Sequence, residues 1–309
     1  MTRPLILDVD TGIDDALALL YVAASPEAEL LGVTCLYGNV AADLVAANTR
    51  AVLELAGRGE VEVALGATAP LVRGLVTTPE THGPGGLGNA LLPPARRPLS
   101  TRGAIDLLLE TVRARPGEVT LVTLGPMTTV ALALEREPAL PRLLRRWVLM
   151  GGAFGVPGNT TPVAEWNVHC DPEAARLAFG GWARAIEADP SLPRALALGL
   201  DVTEQVRFLP GHLEALLAAA GPGPIGRFVA DALAFYFDFH ERYDGFRGAF
   251  VHDPLAVAAA LDPGLVRTEP VFADVETTGE LTSGMTVPDR RGHLGRRPNL
   301  DLAVAVDGA

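Results

Sequence analysis

Short apolar runs alternate along the chain with longer segments whose apolar residues recur at helical spacing. A run such as 5–7 is too short for a helix and ends in acidic residues, which is typical of a buried strand. The pattern predicts strands at 5–7, 31–36, 61–65, 118–124, 147–150 and 195–200, and helices at 15–24, 41–56, 101–114 (with Ser100 as N-cap), 128–137 and about 222–242. Strands and helices in this alternation form βαβ units. We therefore expect one α/β domain over residues 1–309, with a mostly parallel, Rossmann-like central sheet flanked by helices.

The composition indicates a folded, acidic protein and excludes several chemistries. Hydrophobic residues make up 49% of the chain, enough for a sizeable core, and the net charge of −12 disfavours nucleic acid or a membrane surface as a partner. All 25 basic residues are Arg, which excludes lysine Schiff bases and P-loop lysines. The chain shows no secretory leader and no apolar stretch of bilayer length, so we expect a cytoplasmic protein.

Four carboxylates lie within eight residues after the first predicted strand: Asp8, Asp10, Asp14 and Asp15. A single aspartate at this place would be interpreted as a helix cap, because acidic side chains stabilise the first turn of a helix. Four carboxylates at one strand end raise one another's pKa and cost stability unless a cation offsets them. Oxygen ligands without Cys or His favour Ca²⁺ or Mg²⁺. The cluster therefore predicts a divalent-metal site.

Two later segments carry further polar candidates. Asp253 follows an apolar run and precedes a helical pattern, so it is a second candidate ligand, and the adjacent His252 is either a general acid or a structural histidine. Asp171 before a proline predicts a helix cap. A nearby loop carries three polar residues and a tryptophan: Asn159, Glu165, Asn167 and Trp166. The polar side chains suit hydrogen bonds to a hydroxyl-rich ligand with the indole ring packed nearby, or ordinary hydrogen bonds within the loop.

Two other patterns do not indicate a functional motif. Residues 83–88 fit GxGxxG, but they do not lie between a predicted strand and a helix, so a dinucleotide fingerprint is excluded. A mobile loop over a site, with His82 at its edge, is the better interpretation. Cys35 and Cys170 form no metal or redox motif, and we expect buried free thiols.

Taken together, these segments resemble the nucleoside hydrolases of the inosine–uridine-preferring family. The resemblance is carried, in order, by LDVDTGIDDALAL (7–19), GN (38–39), LVTLGPMTTVALAL (121–134), VLMGGAF (148–154), GNTTPVAEWNVHCDPEAA (158–175), VHDPLAVA (251–258) and GELTSGMTVPDRR (279–291). It implies Ca²⁺-dependent hydrolysis of the N-glycosidic bond of ribonucleosides. It also implies a small ribonucleoside as substrate and assembly as a homodimer or homotetramer.

The resemblance also implies roles for individual residues. The metal ligands would be Asp10, Asp15, Asp253 and the carbonyl of Leu124, with Asp10 also the general base and Asp8 in support. His252 would protonate the leaving base, and His82 would be a second histidine on that side. The remaining substrate contacts would be Asp14, Asn39 and Asn167 at the 2′ and 3′ hydroxyls, Asn159 and Glu165 at the 5′ hydroxyl, Met150 below the sugar, and Trp166 nearby.

Some features depart from the family pattern or leave alternatives open. Thr129 stands where many relatives carry Asn. The segment before His252 should supply aromatic contacts to the base, but the sequence does not choose among Phe239, His240 and Tyr243. Base preference stays open. A phosphatase of the haloacid-dehalogenase type is disfavoured by the lack of Lys, and the remaining alternative is a metal-dependent nucleoside-binding protein without turnover.

Overall fold

A computed structural model describes residues 2–221 and 223–307. The start of the helix predicted at about residue 222, and the ends of the predicted 1–309 domain, lie outside those residues. Every predicted strand is present, within a few residues at each end. The strands are β1 (Arg3–Val9), β2 (Ala28–Cys35), β3 (Val63–Leu65), β4 (Thr120–Thr123), β5 (Arg146–Met150), β6 (Ala195–Leu198), β7 (Arg207–Phe208), β8 (Ala249–Phe250), β9 (Val266–Val271), β10 (Ala273–Val275), β11 (Thr286–Pro288) and β12 (Leu300–Val306).

The predicted helices are also found, together with further helices for which the sequence analysis gave no bounds. They are α1 (Ile13–Ala24), α2 (Ala42–Leu55), α3 (Pro79–His82), α4 (Ala104–Ala114), α5 (Thr128–Arg136), α6 (Leu140–Leu143), α7 (Trp166–Cys170), α8 (Pro172–Ala188), α9 (Leu200–Thr203), α10 (Pro210–Ala220), α11 (Pro224–Tyr243) and α12 (His252–Leu261), with a 3₁₀ turn at Pro263–Leu265. None of the helices in the described part of the chain has the length and apolarity needed to cross a bilayer.

The central sheet has eight strands in the order β3-β2-β1-β4-β5-β6-β12-β9. Neighbouring strands run parallel except at one edge, where β9 pairs antiparallel with β12. The prediction of a mostly parallel sheet flanked by helices is therefore confirmed. Because the first strand lies between β2 and β4, the acidic segment that follows β1 emerges near the middle of the sheet.

Two hydrophobic cores cover the two faces of the sheet. On β1, Leu5 and Leu7 pack into the core that includes residues of α1, α2, α11 and α12, whereas Ile6 packs into the core that includes α4, α5 and α8. This alternation is the period of two that a strand imposes on its side chains. On the second face the ring centroids of Trp147 and Trp182 lie 4.9 Å apart, which joins β5 to α8.

Two local predictions have different outcomes. The prediction that Ser100 caps the helix at 101–114 is wrong: α4 begins at Ala104 with Gly103 at its N-cap. The Ser100 hydroxyl instead donates to Glu62 and accepts from the backbone N–H of Arg102, which closes the turn before the helix. Asp171 does cap α8, since its carboxylate accepts from the Ala174 N–H at 3.0 Å.

Candidate active site

The carboxyl ends of the parallel strands open into one cavity of about 460 Å³, the size range of a small-molecule site. Open parallel sheets place their ligand sites at this edge. The cavity wall includes eleven of the sequence-predicted residues: Asp14, Asn39, His82, Leu124, Met150, Asn159, Glu165, Trp166, Asn167, His252 and Asp253. Asp8, Asp10 and Asp15 do not form part of the wall and are buried.

Three of the buried carboxylates converge at one place. Asp14 and Asp15 lie in the first turn of α1 and Asp253 in the first turn of α12, and each offers an oxygen within 4.8 Å of the others. Asp10 stays connected to this group because its backbone N–H donates to Asp15 at 3.2 Å. The structure thus brings Asp14, predicted to hold a ribose hydroxyl, into the carboxylate group, while Asp10 lies beside the group.

The raised pKa values of these carboxylates show that no positively charged side chain of the described residues offsets them. Burial and then the charge of Asp15 raise the pKa of Asp14 to about 8. The same two causes raise the pKa of Asp10 well above its ordinary value. Asp14 Oδ1 is buried and has no hydrogen-bond partner among the described residues. Such an oxygen could coordinate a bound cation, and the cation would offset the repulsion between the carboxylates. The cluster could therefore hold a metal ion, and its all-oxygen donors suit a hard divalent cation.

Two glycines give the Asp10 side chain its space. A Cβ on Gly38 would lie 2.0 Å from Asp10 Oδ2, and a Cβ on Gly125 would lie 2.8 Å from Oδ1. The Asn39 N–H also donates to Oδ2 at 2.9 Å. Residues of the loops after β2 and β4 therefore fix the orientation of this carboxylate, and any larger residue at either glycine would displace it.

Asp8 lies under the site, on β1 itself. It is fully buried, and it accepts a hydrogen bond from the Thr34 hydroxyl at 2.5 Å. Burial raises its pKa to about 7, against the lowering effect of the Thr34 hydrogen bond. The side chain contributes to the electrostatics beneath the cavity without touching the cavity wall.

Glu165 organises the polar side of the cavity. Its carboxylate caps α7 by accepting from the N–H groups of Asn167 and Val168, and it also accepts from Gly152 at 2.8 Å. Asn167 in turn donates to the Leu124 carbonyl at 2.6 Å. These contacts join the loops after β4 and β5, so Glu165 has a structural role in addition to any contact with a ligand.

We expect Glu165→Ala to lower the free energy of unfolding by about 2–4 kcal/mol, because it removes a helix cap and leaves buried N–H groups without an acceptor. Urea unfolding would measure the change. Glu165→Gln keeps one acceptor oxygen and should lose clearly less. Equal stability of the alanine variant and the unaltered protein would contradict the capping role.

Two predicted histidines lie at the other end of the cavity, and both are neutral. Burial, followed by the charges of the neighbouring imidazoles, lowers the pKa of His82 to about 3. Burial, followed by the charge of His240, lowers that of His252 to about 3. His82 Nδ1 accepts from the Ile13 N–H at 3.1 Å, so its proton is on Nε2. His252 Nδ1 lies 2.8 Å from the hydroxyl of Thr203 on α9.

Sequence reasoning missed several residues at this end of the cavity. All three open candidates, Phe239, His240 and Tyr243, line the wall. They recur at helical spacing on α11, a signal that could have identified a common face. The wall residues missed at this end are Thr78, Glu80, Thr81, Glu204, Tyr236, Asp244 and Phe250.

The segment 83–88 follows the short helix α3 and not a strand, as expected for a chance match to GxGxxG. His82 ends that helix and accepts, through its carbonyl, from the Gly88 N–H at 2.8 Å.

Cys35 and Cys170 are buried free thiols, as predicted.

Comparison with known proteins identifies relatives across nearly the whole chain. A family model described as "inosine-uridine preferring nucleoside hydrolase" matches residues 5–309. The pyrimidine-specific ribonucleoside hydrolase RihA of Enterobacter sp. (strain 638) is 40% identical, over 99% of this chain and 94% of that protein. The RihA of Citrobacter koseri is 38% identical, over 99% of this chain and 95% of the relative.

Solved structures agree with the sequence relatives. A purine-preferring ribonucleoside hydrolase from Gardnerella vaginalis superposes with a TM-score of 0.90 at 33% identity, over 99% of this chain and 94% of the other. A plant nucleoside hydrolase superposes with a TM-score of 0.91 at 31% identity, over 100% of this chain and 96% of the other. Relatives of one fold thus carry names with different base preferences.

Proposed function

Since this chain belongs to the inosine–uridine-preferring nucleoside hydrolase family and is an N-glycosyl hydrolase, we propose that it hydrolyses ribonucleosides to ribose and free base with the help of Ca²⁺. The observation that carries the proposal is a cavity with two unlike ends. Buried carboxylates and amides suit a sugar at one end, and aromatic rings with histidines suit a planar base at the other.

The acidic end would hold the ribose. Asp14, Asn39 and Asn167 would bind the 2′ and 3′ hydroxyls, with Met150 packed below the ring. Asn159 and Glu165 would bind the 5′ hydroxyl. All six residues line the cavity, and five are buried, whereas Asn159 is exposed at the rim. A held 2′ hydroxyl would also discriminate against deoxyribose, since its loss leaves buried polar groups unpaired.

The residues that would hold the metal are the carboxylates of Asp10, Asp15 and Asp253, with the carbonyl of Leu124. Asp14 is close enough to contribute as well. When bound, Ca²⁺ would orient the attacking water and lower its pKa. Carboxylate and carbonyl oxygens in a crowded, buried group are the donors that Ca²⁺ prefers.

Asp10 would be the general base. The Asn39 N–H fixes the orientation of this carboxylate, and a fixed carboxylate oxygen can accept a proton from a positioned water. Departure of the base leaves positive charge on the ribose ring, as in the hydrolysis of O-glycosides. The buried carboxylates around the sugar would stabilise that charge.

His252 would give a proton to the departing base. Burial keeps this imidazole neutral in the ligand-free protein. In the complex the ring would take up a proton from water, favoured by the negative charge that develops on the departing base, and would pass that proton to the base. Thr203 holds the ring through Nδ1, so Nε2 would be the atom that faces the base.

We expect His252→Ala to lower kcat for ribonucleosides by about 10²–10⁴-fold, the usual contribution of a general acid. Turnover of 4-nitrophenyl riboside should change far less, because that leaving group departs without a proton. Steady-state kinetics on both substrates would measure the contrast. An equal loss on the two would contradict the role of His252 as an acid.

Ribose release from a set of ribonucleosides by the calcium-loaded protein tests the proposed function as a whole.

Assembly as a homodimer or homotetramer, implied by the family resemblance, also stays a prediction, and the molar mass in solution would test it.

A further inference from the structure

A second recess lies at the edge of the sheet opposite the active-site cavity. Its wall is formed where β1, β4 and β5 begin, by the residue Pro193 before β6, and by the end of α12. These three strands are parallel neighbours, so their amino ends meet at one edge. The volume of about 200 Å³ is below the roughly 300 Å³ at which pockets for drug-sized ligands begin. The recess therefore suits a small ion or one end of a ligand.

Three neighbouring strands direct polar side chains to one face of the sheet at this edge. Arg3, Thr120 and Arg146 each lie two residues before a member of the hydrophobic core to which α12 belongs: Leu5, Val122 and Val148. Residues two apart on a strand point to the same face. Thr120 and Arg146 are also direct register partners across β4 and β5. The three polar side chains therefore share the face that α12 covers, at the place where this helix ends.

The recess carries a surplus of positive charge. Three arginines line it: Arg3, Arg145 and Arg146. None of them lies within ion-pair distance of a carboxylate in the part of the chain that the structure describes. Glu118, which also lines the recess, already pairs with Arg115 at 3.0 Å. Arg3 donates one long bond of 3.4 Å to the Ala260 carbonyl and has five N–H groups in all. This charge is concentrated in a protein whose net charge is −12.

Thr120 adds a buried hydroxyl to the same recess. The residue is only 6% exposed, and it lines the recess. Its side chain makes no hydrogen bond to a residue that the structure describes. Buried polar side chains normally have a partner, and an exposed arginine can be solvated where a buried threonine cannot. With three guanidinium groups beside the hydroxyl, an anion is the partner that fits it.

We propose that this recess binds a phosphate group, either as the free ion or as part of a small phosphomonoester. A guanidinium group binds phosphate oxygens through paired N–H bonds, and a hydroxyl donates a further bond to such an oxygen. Arg3 and Arg145 are exposed, so the recess opens to solvent and the carbon part of an ester has room to extend outwards. The inference goes beyond the proposed function and does not depend on it, because the two cavities share no residue.

Calorimetric titration of the calcium-loaded protein with inorganic phosphate, at an ionic strength held constant with sodium chloride, tests this site. We expect saturable binding of one phosphate per chain. The double variant Arg145→Gln with Arg146→Gln should weaken binding by at least about tenfold, because it removes two sets of charge-assisted hydrogen bonds. Thr120→Val keeps the shape of the side chain and removes the hydroxyl, so it should weaken binding several-fold.

The matched control is the double variant Arg113→Gln with Arg136→Gln. It removes the same charge at exposed arginines that pair with Glu137 and Asp106 outside the recess. We expect this variant to bind phosphate as the unaltered protein does. Equal weakening in the control and in the recess variant would overturn the proposal, because it would show attraction by overall charge alone.

Two further results would also overturn the proposal. One is the lack of saturable binding up to about 10 mM phosphate. The other is binding that is lost on chelation and kept in the Arg145→Gln, Arg146→Gln variant, which would place the anion at the active-site calcium. The titration measures no ribose release, so its failure is distinguishable from failure of the proposed function.

Ribose 5-phosphate, titrated into the unaltered protein and into the same recess variant, identifies the source of the phosphate group. Binding that is tighter than that of inorganic phosphate, and weakened in the variant, would support a phosphomonoester as the ligand. Equal or weaker binding would support the free ion.

Discussion

Asp10→Asn is expected to lower kcat for ribonucleosides by about 10²–10⁴-fold, because the amide cannot accept a proton from the attacking water. The substitution keeps the shape of the side chain, so the space between Gly38 and Gly125 still accommodates it. It also removes a buried ionisable carboxyl group, the charge of which burial and Asp15 disfavour. The metal-free variant should therefore unfold at a temperature no lower than that of the unaltered protein.

The matched control for this variant is Asp43→Asn, which makes the same change at an exposed position in the first turn of α2. Circular dichroism and thermal unfolding would show that both variants fold. Ribose release within threefold of the unaltered rate in Asp10→Asn, with the fold intact, would contradict the assignment of Asp10 as base.

Removing the metal is expected to abolish turnover and to make stability depend on pH. In the metal-free protein the pKa of Asp14 is about 8 and that of Asp8 about 7, both raised by burial from an ordinary value of 3.8. The folded state therefore holds protons that the unfolded chain has already released. Stability is lost as the pH rises through the folded-state pKa values, at up to about 1.4 kcal/mol per pH unit for each such proton.

The buried histidines change the stability in the opposite direction with pH, but at lower pH. In the folded protein the pKa of His82 and that of His252 are about 3, so both rings stay neutral until the pH falls to that value. In the unfolded chain the same rings take up protons at the ordinary histidine pKa of 6.5. Their contribution is complete above that value and declines as the pH falls below it. Above pH 7 the histidines add little further change, so the carboxylates make stability fall as the pH rises.

Thermal unfolding of the chelated and the calcium-loaded protein between pH 7 and 9 measures this effect. The Tm of the chelated protein should fall across the range, and calcium should restore most of it at pH 9, since a cation offsets the charges of the cluster. Ribose release should be lost on chelation and return with calcium. Full activity after prolonged chelation, or identical Tm values with and without calcium at pH 9, would contradict a metal site here.

At the acidic end of the cavity, the aspartates could be predicted because they follow apolar runs, whereas Asn39 and Leu124 were implied only by the family resemblance. Asp10 comes after β1, Asn39 after β2 and Leu124 after β4, and parallel strands bring their carboxyl ends to one edge. The apolar runs fixed those strands within a few residues. The helix cap before α4 could not be predicted in this way. Ser100 occurs at a plausible cap position, yet its hydroxyl donates a hydrogen bond to Glu62 on a neighbouring segment.

The aromatic end could not be assembled in the same way. Glu204, His240 and His252 belong to three segments that the sequence leaves unrelated, and only tertiary packing brings them together. On α11 a residue that faces a cavity and one that faces the core share the same helical spacing. The structure was therefore needed to show that Phe239, His240 and Tyr243 all line the cavity.

Ribose release from inosine, adenosine, guanosine, uridine and cytidine, each compared with Asp10→Asn and with a chelated sample, tests the central claim most directly. We predict release from at least one nucleoside by the calcium-loaded protein, and its loss in both comparison samples. Release that persists in both would contradict the roles of Asp10 and the metal. No release from any of the five, with calcium shown to be bound, would contradict ribonucleoside hydrolysis as the function of this cavity.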